Sequence, residues 1–174
     1  MEITAKQLTD IMPLAHKKAA TYVPIINKWS PTFDITTPQR MAHFLAQIAH
    51  ESGELRYTKE LASGRQYEGR KDLGNTQRGD GVRYKGRGLI QITGRANYKK
   101  YADFCGFDVV VNPELLELPL GATKSAMWYW QTHGLNQQAD KDDLQTITKK
   151  INGGLNGLAD RRKYLARAKQ VFNI

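Results

Sequence analysis

The chain has 174 residues, enough for one compact domain with a sizeable core. Hydrophobic residues at 40% and charged residues at 25% exclude a disordered chain, and the single cysteine, Cys105, excludes an internal disulfide or a cysteine metal cluster. No apolar run approaches the roughly 18 to 20 residues of a membrane span; 26 Lys and Arg against 17 Asp and Glu leave a net charge of +9, which implies an anionic partner without naming it.

Met1 to Ser30 lacks the basic, apolar and small-residue succession of a secretory signal, so Sec export is not expected. Thr4 caps a short helix through Met12 with Leu8, Ile11 and Met12 as its apolar face. A second segment runs from Leu14 to Trp29, where Pro24 is expected to kink or divide it. Thr37-Pro38 pairs a capping hydroxyl with proline at the first helical position. The helix it starts runs through His50, carries Met41, Phe44, Leu45, Ile48 and Ser52 on one side, and stops at Gly53.

From Ser63 to Gly88 recurring glycines exclude a long helix and predict turns or a small hairpin. Leu89 to Thr93 is β-branched, bounded by glycines, and reads as a strand. Arg95 to Phe104 is the next helix. Leu120 to His133 is apolar nearly all round and belongs in a core, with Trp128, Tyr129 and Trp130 as core or cleft wall. Asp140 to Ile151 ends at Gly153-Gly154, and Leu158 to Phe172 is a basic terminal helix. The architecture expected is mainly α, one domain over residues 1–174 with a small β-hairpin insertion.

Glu51 lies in the last turn of the Thr37-capped helix, at the margin of its apolar face. Partial burial and the negative end of the helix dipole both disfavour a charged carboxylate there, which suits a general acid. The alternative is a partly exposed helix-end glutamate with no role. Glu60 follows nine residues later. On a continuous helix the two would point apart, about 13 Å from one another along the axis. A stop at Gly53 lets the chain turn instead, and inverting glycosidases hold two carboxyl groups about 6.5 to 9.5 Å apart. Glu54, Glu68, Asp72 and Asp80 compete for the second role.

Three blocks resemble family 19 glycoside hydrolases, which include chitinases and phage endolysins. They are Ala46-Gln47-Ile48-Ala49-His50-Glu51-Ser52 with Glu60 following; Tyr84 to Gly94 with Asn97-Tyr98; and Ile151-Asn152-Gly153-Gly154 followed by Asp160-Arg161. The resemblance implies a lysozyme-like, two-lobed helical fold and inverting hydrolysis without a cofactor or metal. It makes Glu51 the general acid, Glu60 the general base and Thr93 the hydroxyl that helps position the attacking water. It places Gln91, Asn97 and Asn152 on the N-acetylated sugar, includes Tyr84 among the substrate contacts, and sets Arg161 in support of the carboxylates. His50 becomes a structural or substrate contact rather than a proton carrier.

Two departures from the plant pattern stand out. This chain is short with one cysteine, and it carries Asn156 where plant chitinases have a glutamate of the carboxylate–arginine network, which leaves the role of Arg161 open. A compact, cysteine-poor chain looks more like an endolysin than a secreted chitinase. The expected partner is therefore bacterial peptidoglycan, attacked by a monomer held in the host cytoplasm until a holin-like membrane lesion gives it access to the wall. The basic terminal helix could meet an anionic outer envelope through Arg161, Arg162, Lys163, Arg167 and Lys169. One alternative is a chitinase acting on N-acetylglucosamine polymers. Another, from the Arg/Gly-rich stretch Arg78 to Arg87, is a nucleic-acid-binding protein, although no nucleic acid is expected because that reading leaves Glu51 and Glu60 without a purpose.

Overall fold

A computed structural model describes all 174 residues. The helices are α1 (Ala5–Ile11), α2 (Ala19–Trp29), α3 (Pro38–Ser52), α4 (Asp80–Arg83), α5 (Arg95–Cys105), α6 (Pro119–Thr132), α7 (Leu135–Asp140), α8 (Leu144–Asn152) and α9 (Leu158–Phe172). They fall into two compact units, residues 1–56 with 127–174, and residues 57–126. No helix is long and apolar enough to cross a membrane.

The first unit is organised on α3. Thr37 Oγ1 accepts the Arg40 amide at 3.2 Å and Pro38 occupies the first turn, as the sequence predicts. The helix is buried almost all round, however, with Ala42, His43, Ala46, Gln47 and Ala49 inside as well as the larger apolar residues. Small side chains on its second face admit close neighbours, which a one-sided hydrophobic period does not reveal. Helix α9 packs against α3 through Arg161, Tyr164, Leu165 and Ala168. Trp130 is fully buried, edge-on to Phe44 with centroids 5.4 Å apart, and its indole N–H donates to Asn136 at 2.8 Å.

Several boundaries differ from expectation. The segment after α1 starts as a 3-10 turn at Pro13–Ala15, and α2 begins only at Ala19 and accommodates Pro24 internally. Helix α7, unforeseen, precedes α8, and Asp143 rather than Asp140 caps the latter through the Thr146 amide at 3.0 Å.

After α3 the chain turns through Gly53, Glu54 and Leu55, all left-handed, at φ of 57°, 59° and 67°. For the two non-glycine residues that conformation costs on the order of 1–2 kcal/mol each. The Glu54 carboxylate holds the turn: one oxygen accepts the Leu14 amide at 2.6 Å, the other the Tyr164 hydroxyl at 2.7 Å. Ser52 Oγ accepts the Leu55 amide at 2.8 Å, and Lys18 donates to the Leu55 carbonyl at 2.6 Å.

The second unit is tied around Arg87. Its guanidinium is nearly buried and donates to Glu117 at 2.9 Å, the Arg83 carbonyl at 2.7 Å and the Tyr98 hydroxyl at 3.0 Å. Burial raises the Glu117 carboxyl, but the hydrogen bonds from Arg87 and Lys59 outweigh it and hold the group below its ordinary range. The expected strand at Leu89 to Thr93 does not form. Arg87 and Ile92 exchange backbone hydrogen bonds of 3.1 and 2.8 Å around a tight turn, leaving only the isolated bridges Lys59↔Arg87 and Arg87↔Ile92. The Gly88 amide donates to Thr58 and the Leu89 amide to Ala122, so the backbone donors leave in different directions and no ladder propagates. The apolar run of Leu89, Ile90 and Ile92 reflects burial rather than a sheet.

His43 is fully buried on α3, with Nε2 2.7 Å from Asp142 and Nδ1 without a partner. Burial lowers its pKa despite the Asp142 hydrogen bond. Below about pH 6.5 the unfolded chain takes up a proton that folded His43 resists, so stability contributed by the neutral ring is lost as pH falls through that value. His43→Gln should flatten the decline of the thermal midpoint between about pH 7 and pH 5. An undiminished slope would exclude His43 as its source.

Candidate active site

In the first unit the functional side chains converge where α3 ends against α9. Arg161, 1% exposed, sets Nη2 2.6 Å from Glu51 Oε1, which is itself buried. The contact is an ion pair rather than an aligned hydrogen bond. Arg161 also donates through Nη1 to Gln47 Oε1 at 2.5 Å and through Nε to the Asn156 carbonyl at 3.3 Å. Gln47 continues the chain of contacts to the Thr148 hydroxyl at 3.3 Å. The Asn156 side chain is exposed, so its main chain and Gln47 do the bracing. Glu51 Oε2 has no protein partner, and the side chain keeps 23% of its exposure. A proton therefore has one oxygen on which to reside.

His50, the next residue back, points Nδ1 at Asp160, 2.7 Å away, and Lys163 grips the other oxygen of that carboxylate at 2.9 Å. Burial raises the Asp160 carboxyl, but the hydrogen bonds from Lys163 and His50 win and hold it low. Gly157, at φ +74°, lies so close to the imidazole that a Cβ there would come within 2.2 Å of His50 Cε1. Tyr129 donates to the Lys150 carbonyl at 2.8 Å, and burial, with Glu51 nearby, holds its phenol above the ordinary range.

In the second unit Glu60 and Gly86 are paired through the Glu60 amide and the Gly86 carbonyl at 2.9 Å. The Glu60 carboxylate accepts the Gly86 amide on Oε1 and the Tyr67 hydroxyl on Oε2, both at 2.9 Å. Both neighbours donate, so the group is held as an acceptor. Burial first, then Glu60, keeps the Tyr67 phenol above its ordinary range, and the donor stays protonated. Gln91 lies over Gly86: a Cβ on that glycine would meet its Oε1 at 2.5 Å. Thr93 and Asn97 are joined by the Asn97 side-chain amide donating to the Thr93 carbonyl at 2.8 Å.

Of the residues expected from the sequence, Glu51 and Arg161 meet directly, with His50 anchored to the same helix α9. Glu60 and Gln91 meet at Gly86. Asn152 ends α8, exposed and with no side-chain hydrogen bond. Tyr84 does not fit a substrate contact: it is 1% exposed, packs edge-on to Tyr98 and donates to the Val110 carbonyl at 2.8 Å, so its ring has no face left for a sugar. The competing carboxylates are all committed elsewhere: Glu54 to the turn after α3, Glu68 to the Gly79 and Gly81 amides, Asp72 to Arg70 and buried Asp80 to Arg95. The basic terminal helix spends much of its charge internally: Arg161 on Glu51, Lys163 on Asp160, and Lys169 on Asp142 at 2.5 Å. No three His, Cys, Asp or Glu side chains converge in a group that could hold a metal ion.

Gln47 and Asp160 stand in the matching blocks without an assigned contact, and Tyr67 stands outside them. Gln47 was findable, being four residues before Glu51 on one helix, and Asp160 adjoins Arg161. Tyr67 had no local signal, because only the loop path brings it to Glu60.

Comparison with known proteins gives consistent results. The family Glyco_hydro_19, chitinase class I, matches residues 27–153. A Glycosyl hydrolase family 19 domain-containing protein of Haemophilus influenzae is 35% identical over 163 residues, covering 76% of this chain and 79% of its own length. An Arabidopsis thaliana endochitinase is 36% identical over 118 residues, covering 67% of this chain but only 40% of the plant protein. The crystal structure of chitinase C from Streptomyces griseus superposes with a TM-score of 0.76 at 24% identity, covering 98% of this chain and 76% of that one. A bacterial family 19 chitinase reaches 0.78 at 22% identity, over 99% and 95%.

Replacing Glu51 by Gln leaves the Arg161 cation buried without its counter-charge and should cost about 3 kcal/mol in denaturant unfolding. Glu60→Gln keeps an acceptor for its neighbours and should change stability by less than about 1 kcal/mol. Gly157→Ala should destabilise by about 1–3 kcal/mol, since both the left-handed backbone and the imidazole resist a methyl group.

Proposed function

The chain belongs to glycoside hydrolase family 19, and from that premise we propose that it is an endolysin-type enzyme that cuts the glycan strand of bacterial peptidoglycan with inversion. The reading is carried by two carboxylates in different surroundings. Glu51 has one oxygen on a buried guanidinium and one unengaged, while Glu60 accepts two hydrogen bonds. In the reaction Glu51 delivers a proton from Oε2 to the leaving glycosidic oxygen. Glu60 takes a proton from water as that water bonds to the anomeric carbon and the glycosidic bond breaks. Arg161 then stabilises the Glu51 carboxylate left behind. Thr93 orients the water; Gln91, Asn97 and Asn152 contact the N-acetylated sugar; His50, fixed by Asp160, is a contact rather than a proton carrier.

Peptidoglycan is favoured over chitin by charge: +9 suits an anionic wall, whereas chitin is neutral. The enzyme acts as a monomer without a cofactor. It waits in the host cytoplasm until a membrane lesion admits it to the wall, and Arg162 with the other exposed cations assists approach to an anionic envelope. A second reading, a chitinase, is favoured by the names of the relatives: plant endochitinases and bacterial chitinases.

Clearing of outer-membrane-permeabilised bacteria should be fast with the unmodified protein. It should fall about 10²- to 10⁴-fold in kcat for both Glu51→Gln and Glu60→Gln. Lysis at an unchanged rate by both variants would sink the assignment of these carboxylates. Faster turnover of soluble chitin oligomers than of purified peptidoglycan would select the chitinase.

A further inference from the structure

A groove of about 840 Å³ opens on the second unit, and nothing in the proposed hydrolysis uses it. Four arginines line it with a single acid, Asp80. Two of the cations are neutralised. Arg95 makes a two-pronged contact with Asp80 at 2.9 and 2.7 Å, and Arg87 pairs with Glu117. The other two are not. Arg83 has no carboxylate partner, but it is rigidly held: Nε donates to the Tyr84 hydroxyl at 3.0 Å and Nη2 to the Val110 and Val111 carbonyls at 3.1 and 2.7 Å. Its Nη1 is unengaged. Arg78 is exposed and makes no hydrogen bond or ion pair within the chain. The remaining wall is mixed: Gln77 is polar, while Val82 at 45% and Val111 at 59% exposure supply apolar surface over buried Pro113.

This combination has a chemical meaning. Arg78 offers paired donors matched to the oxygens of a carboxylate, and Arg83 adds Nη1 on a guanidinium already held in place, which loses little entropy on binding. Exposed valine surface beside them suits small aliphatic side chains, and a phosphodiester chain would leave that surface unused. The volume lies in the range of a site for a short peptide or similar ligand. We infer that the groove binds a short peptide bearing free carboxylates and small apolar side chains, the chemistry of the stem peptides that branch from peptidoglycan glycan. The inference rests on the peptidoglycan reading for the source of the ligand, and it gives the enzyme a hold on its polymer that chitin cannot supply.

The probe is a synthetic stem pentapeptide ending in D-Ala-D-Ala, titrated calorimetrically onto the full chain at low salt. The same peptide with its carboxylates amidated, and inorganic polyphosphate, are compared with it. Binding should weaken at least about tenfold on amidation and in the Arg78→Gln/Arg83→Gln double variant. It should also fall as salt screens the charges. Arg83 braces the Val110–Val111 backbone, so Arg78→Gln alone, a change at an exposed and partnerless side chain, should still cost about threefold. Absence of peptide binding, equal binding of the amidated peptide, or tight binding of polyphosphate alone would each overturn the inference. Peptide binding without any cleavage of peptidoglycan would uphold the groove and defeat the glycan reading instead.

Discussion

A guanidinium almost without access to water has to be met by acceptors on every side, and in the first unit Arg161 sets that requirement. Burying a cation is tolerable only with a counter-charge and hydrogen bonds. Glu51, Gln47 and the Asn156 carbonyl supply them from α3 and from the loop that leads into α9. The consequence is positional. Helix α9 cannot slide along α3 without breaking the set, and Glu51 cannot rotate away from it. The same arginine that stabilises the packing therefore fixes the carboxylate proposed as the general acid, and His50, tied to Asp160 one residue earlier on α9, follows along.

The second unit solves a different problem with a different arginine. Its segments are loops and short helices with no sheet to align them, so Arg87 gathers Glu117, Tyr98 and the Arg83 carbonyl around one cation. Lys59 leans on the same Glu117 at 3.2 Å, which locks the strand-like segment that carries Glu60 beside Gly86. Glu60 is thus held by backbone more than by side chains. Gln91 lies over Gly86, so a side chain at residue 86 would displace it.

The two carboxylates differ in their surroundings rather than in their identity. Glu51 keeps one oxygen unengaged against a fixed positive charge; Glu60 is surrounded by donors.

Much of this was legible in the residues. The Thr37-Pro38 cap and the Gly53 stop delimit α3, and Leu158 to Phe172 is helical over the range expected, because capping and 3.6-residue periodicity are local properties. Glu51 and Glu60 stood out through family motifs, whose order survives in one dimension. What the sequence could not decide depends on residues far apart in the chain meeting in space. The run Leu89 to Thr93 has strand composition but spends its amides on unrelated partners. Tyr84 carries an aromatic ring that tertiary packing turns inward. The family resemblance set Arg161 in support of the carboxylates but left its role open, and only the approach of α9 to α3 buries it on Glu51. The excess of +9 is likewise a property of composition, but which cations remain available was decided by packing: most of those on α9 are neutralised at home, while Arg78 and Arg83 are left facing a groove. Charge count is additive along a chain, whereas charge availability is set by the partners that folding brings within reach.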